Sequence, residues 1–199
     1  MATAAHDAPA PPAEAERRGL QIVPRAGIPF AAAAIVGVIV AVALDSHWAL
    51  NFFHVAGGGA WTTLDLFLGF VLGPIMGRLS LPARIELSMR LMPKLVLLIP
   101  TLVTLTLASG FQLAHDFGFL DSSYPRHGYI VASFVVVAIM AVIAIGYLEP
   151  ANLAVLFELR KPQPDGEVIQ KLMRRFLYTA GVTGALQVAT LVIMTRLPT

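Results

Sequence analysis

His47, His54, Trp61 and Asp65 are the residues best able to do chemistry in the most unusual stretch of the chain, Trp48 to Gly77 and its entry. They follow one another at offsets of seven, seven and four. A helix turns about 100° per residue, so all four fall within roughly 20–40° of one line. Imidazole ligates haem iron, copper, zinc and nickel. A carboxylic acid in an apolar helix serves as a proton relay, an ion site or the partner of a cation. Its alternative is to stay neutral and hydrogen-bond to a hydroxyl such as that of Thr62. An ionised Asp at mid-membrane costs about 2.5–3.5 kcal/mol on insertion scales. The stripe must therefore face protein, water or a bound group. Asp65 is the candidate catalytic group, about 16 Å beyond His54 by helical rise. Gln187 falls at the same depth in the last apolar run and is expected to hydrogen-bond to it.

Other ligand-type residues lie elsewhere. His115 and His127 bracket a polar loop, and Met194 is close to the C-terminus. With His54 they form the candidate metal set. Thioether suits Cu(I), but Met76, Met89, Met92 and Met173 fall at the opposite ends of the apolar runs. They are expected to fill gaps in packing. His6, in an Ala/Pro-rich segment, is expected to be solvated.

The elements that must position these groups are helices in a bilayer. Of 199 residues, 57% are hydrophobic and 13% charged, with a mean hydropathy of +0.74. A soluble domain has roughly 25% charged residues. Five apolar runs, at about 28–44, 48–77, 95–114, 128–148 and 176–195, predict an all-α integral membrane bundle of five transmembrane helices. Residues 1–27 read as a disordered cytoplasmic tail, and 151–159 as a short interfacial segment. Arg17-Arg18 and Ala41-Val42-Ala43 give the first run some features of a cleaved signal, but the long mixed-charge leader favours a retained helix. Gly69, Gly73 and Gly77 repeat at the spacing of helix–helix contacts in membranes. Pro100 lies inside the third run, with Thr101 and Thr104 near enough to compensate.

Twelve Lys and Arg residues lie on the N-terminal side of the five-run topology and only Arg126 and Arg196 on the other. Basic residues mark the cytoplasmic side, so the N-terminus is expected inside and the C-terminus outside. There is no cysteine, which excludes disulfides, thiolate metal sites and cysteine nucleophiles. Zinc-finger, P-loop and Rossmann patterns are absent, and no nucleic-acid partner is expected.

The segment His54-Val-Ala-Gly-Gly-Gly-Ala-Trp61, a His-x6-Trp at the start of a span, resembles the signature helix of a broad group of small bacterial membrane proteins. That group includes the HemJ-type protoporphyrinogen oxidases, the CopD-like copper-resistance proteins and related uncharacterised families. Arg90-Leu91, with Pro100 and Gly110, is similar to the pattern that follows in HemJ-type proteins. The resemblance covers about Asn51 to Ala114. It implies a bacterial cytoplasmic membrane, haem b, and His54 as axial ligand. Thr62-Thr63-Leu64-Asp65 departs from the basic, tyrosine-rich segment expected after the tryptophan.

The leading expectation is a haem-b-binding membrane redox protein or redox subunit. His54 would ligate iron, with His115 the best second ligand and His127 or Met194 in reserve, and Trp61 and Asp65 would line the cavity. A quinone is a further expected partner. Two other readings stay open. One is an accessory subunit packing into a larger complex through the Gly69, Gly73 and Gly77 face. The other is a metal or proton permeation protein of CopD-like type using Asp65.

Overall fold

The computed structural model describes Glu16 and residues 19–196. Of the disordered tail expected over residues 1–27, residues 1–15, 17 and 18 lie outside the described residues, and its last part is structured instead, with a helical turn at Arg25–Gly27. Five helices follow: α1 (Arg25–Ala43), α2 (His47–Arg78), α3 (Leu81–Asp116), α4 (His127–Leu159) and α5 (Gly166–Met194). Each is long and apolar enough to cross a membrane, which suggests a multi-pass membrane protein. Strands are absent among the described residues.

Three helices run longer than the apolar periods predict. α3 starts at Leu81 rather than near 95, and α5 at Gly166 rather than 176. α4 continues to Leu159 instead of ending at 148, so 151–159 is not a separate interfacial segment. Ala151, Val155, Leu156 and Leu159 are buried in the main core. For α4 the reason is how the chain absorbs its proline. Proline has no N–H and clashes with the carbonyl four residues back. A π turn, Ala144–Leu148, immediately precedes Glu149-Pro150 and carries α4 through. A second, Phe67–Leu72, precedes Gly73-Pro74 in α2. In α3, Pro93 and Pro100 are accommodated without one. The Thr101 and Thr104 hydroxyls donate to Leu97 and Pro100 carbonyls. Neither bond reaches the carbonyl of Val96, the one that Pro100 leaves without its donor.

Successive helices run antiparallel. Gly166 at the start of α5 lies against Leu81 at the start of α3. At the opposite end, His47 Nε2 stands 3.5 Å from Asp116 Oδ2. The turn between α2 and α3 is tied by Arg84, which is buried. Its Nε donates to the Met76 carbonyl and its Nη2 to that of Leu79, both at 3.1 Å. A guanidinium is well suited to the unpaired carbonyls at a helix C-terminus.

The main apolar cluster occupies the half of the bundle nearer this turn, with Leu68, Met92, Leu95, Leu148, Met173 and Phe176 among its members. Leu20 and Ile22 pack against it, so the end of the leader is part of the fold. A small second cluster, Ala41, Leu50 and Leu113, sits at the other end.

Candidate functional site

Between the two apolar clusters lies a polar layer built on α2, α3 and α5. Its position depends on glycine. A Cβ added to Gly69 would lie 2.3 Å from the Cα of Gly181, and one added to Gly184 would lie 3.0 Å from the backbone nitrogen of Leu66. α2 and α5 thus touch almost backbone to backbone, a contact only small residues permit. The glycine repeat expected to receive an external helix is largely used inside the chain. Gly69 faces Gly181, Gly73 faces Leu177, and Gly77 alone of the three meets nothing.

Asp65 stands one turn from this contact and is fully buried. Its Oδ2 receives the Thr183 hydroxyl at 2.9 Å and the Gln187 amide Nε2 at 3.0 Å. The expected Asp65–Gln187 bond is present. Thr183 was not foreseen, although it precedes Gln187 by four residues and so shares its face of the helix. Trp61 is also buried. Its indole is near enough to act on the Asp65 carboxyl, but its Nε1 falls short of ordinary hydrogen-bond geometry. Asp65 Oδ1 and Gln187 Oε1 are likewise buried without a hydrogen-bond partner. One donor and two acceptors are therefore left over in one small volume, a set that an ordered water satisfies.

The Thr183 hydroxyl has a further feature. Besides the Asp65 oxygen, it lies 2.9 Å from the Ala180 carbonyl and 3.1 Å from that of Thr179. A hydroxyl has one proton to donate and two lone pairs to accept with. With Asp65 ionised, Thr183 donates to it. With Asp65 protonated, the acid donates to Thr183, and the hydroxyl proton turns to Ala180. Both charge states fit the same heavy-atom positions.

His54 lies in the groove between α2 and α3. Its Nδ1 is 2.8 Å from the Thr106 carbonyl, and its ring lies flush on Gly110, where a Cβ would come within 2.4 Å. Gly57 makes a matching close approach to Thr106. Bonding through Nδ1 fixes the ring and leaves Nε2 as the nitrogen that could take a ligand. The sequence did not reveal Thr106, because a backbone carbonyl leaves no signal in residue type.

His47, His54, Trp61 and Asp65 do not form one continuous inward stripe. Trp61 and Asp65 are buried and His54 is partly so, but His47 is exposed at the helix start. His115 is also exposed, with its Nδ1 3.3 Å from Asp116 Oδ1. Gln112 holds that same carboxylate oxygen at 2.8 Å. His127 Nδ1 is 3.4 Å from the Phe119 carbonyl, and Met194 is partly buried near the end of α5. No three His, Asp or Glu side chains among the described residues form a group able to hold a metal ion.

The chain matches no protein-family model, no curated protein and no solved structure. What the site does must be read from its own geometry.

The two histidines expected to hold haem, His54 and His115, stand at different levels of the bundle. His54 lies at the level of Thr106 and Gly110 on α3. His115 lies at the level of His47, through their shared Asp116, about 10 Å away by the rise along α2.

Proposed function

We propose that this is a multi-pass membrane protein that binds and passes on a proton at Asp65. The observation that carries this reading is the Thr183 hydroxyl, placed to accept from the protonated acid or donate to the ionised one. Ionisable groups inside a membrane span are expensive and are retained where protons or ions move. The leftover Trp61, Gln187 and Asp65 atoms supply a berth for the water that would deliver or remove the proton. The charge asymmetry supports a cytoplasmic N-terminus.

The test is proton flux into liposomes containing the purified chain, driven by a potassium diffusion potential and read by an internal pH dye. Asp65→Asn is expected to lower the flux at least tenfold. A variant as active as the parent would end the proposal.

A second reading keeps haem b, on a single ligand. It is favoured by the Nδ1 bond from His54 to Thr106, which orients Nε2 as axial ligands are oriented. Haem would supply the redox chemistry, and His54 would hold it. The absorption spectrum of protein purified with haem supplied decides this. A Soret band lost in His54→Ala supports the reading, and a colourless parent protein refutes it.

A further inference from the structure

A second carboxyl, Glu149, is partly buried among the residues of α4. Glu149 follows the π turn of α4 directly, and its Oε1 is shielded from solvent without a hydrogen-bond partner. Asn152, three residues on, is fully buried, and neither its Nδ2 nor its Oδ1 is bonded. Residues three apart on a helix are surface neighbours. On the same helix Leu148, Ala151, Val155 and Leu156 belong to the main core, and Arg175 of α5 lies 5.3 Å from the ring of Tyr147 on the same π turn.

Buried amides and carboxyls are almost always paired, to protein or to ordered water. Here the protein offers nothing, so the missing partner is a small group. Its chemistry follows from the atoms left over. Asn152 Nδ2 requires an acceptor, Asn152 Oδ1 requires a donor, and Glu149 Oε1 takes either according to its protonation. A metal cation would serve the two oxygens and leave the amide N–H groups stranded. Water serves all three.

The location supports a role beyond packing. Asp65 lies two residues before one π turn and Glu149 one residue after the other. Both π turns pack on α5. π-bulges inside α-helices are frequently found at functional sites.

We propose that Glu149 and Asn152 form a second proton-holding site, in which the protonated Glu149 carboxyl is linked through one water to the Asn152 amide. The site stands on its own atoms and does not require the Asp65 assignment. It is tested by infrared spectroscopy of the full chain in phosphatidylcholine liposomes at one neutral pH, in H2O and in D2O. The parent protein should show a carboxylic-acid carbonyl band that shifts down in D2O. Glu149→Gln should remove a component of that band that survives in Asp65→Asn. Asn152→Leu should keep the component but move it to higher frequency, because the linking water loses its amide partner. If the spectrum of Glu149→Gln matches the parent in this region, the proposal fails. It fails equally if Asn152→Leu leaves the Glu149 component where it was.

Discussion

The middle of the bundle and its His115 end hold similar residue types in opposite states. Around Asp65, an acid, an amide, a hydroxyl and an indole are buried, and helix contacts at Gly69, Gly181 and Gly184 fix them. Around Asp116, two imidazoles and an amide gather on the carboxylate, but His47 and His115 are about half exposed or more, at 49% and 69%. Water reaches both imidazoles, although Asp116 itself is only 16% exposed, and an ion pair with an exposed partner is worth about 0–1 kcal/mol. Asp65 is shut off from bulk solvent, so removal of a protein partner leaves an unsatisfied buried group. Polar residues thus carry chemical weight according to whether backbone packing holds them in place. Titratable character alone does not supply it.

The comparison is broken most directly at the contact that creates it. Gly69→Leu forces a side chain into the Gly181 backbone. It should cost at least the upper end of the ~1–3 kcal/mol typical of overpacking, with loss of monodisperse protein on heating in detergent. Gly77→Leu, placed where a Cβ meets nothing, should leave that melting curve unchanged. If both variants behave alike, the α2–α5 contact does not set the site. Next in size is Thr183→Val, which removes one donor from Asp65 and should cost about 1–3 kcal/mol. Thr183→Ser should restore most of it, and thermal unfolding of the pair reports the difference. His54→Ala should cost less, about 1 kcal/mol for its bond to the Thr106 carbonyl, read by the same melt. At the His115 end, His47→Ala and Asp116→Asn should each change stability by under about 0.5 kcal/mol. A large loss there would erase the contrast between the two regions.

Much of this was legible in the chain. The five apolar runs gave the helix count, and seven- and four-residue offsets turned His54, Trp61 and Asp65 inward. Equal depth along two antiparallel helices was enough to pair Asp65 with Gln187. The helix lengths were harder, because Glu149-Pro150 reads equally as an end or a bend. A proline ends a helix only if the freed carbonyl and the ring clash cannot be absorbed, and a π turn absorbs both. That misreading also hid Glu149 and Asn152, which look interfacial if α4 ends at 148. The histidines were placed correctly by end but not by distance. Hydropathy sorts residues into layers and says nothing about which imidazoles converge within one.

The central claim is that Asp65 exchanges a proton through the hydroxyl beside it, and flux in reconstituted liposomes tests it most directly. Thr183→Ser should conduct like the parent, Thr183→Val should conduct much less, and Asp65→Asn should conduct least. Equal flux in all four proteins would contradict the account.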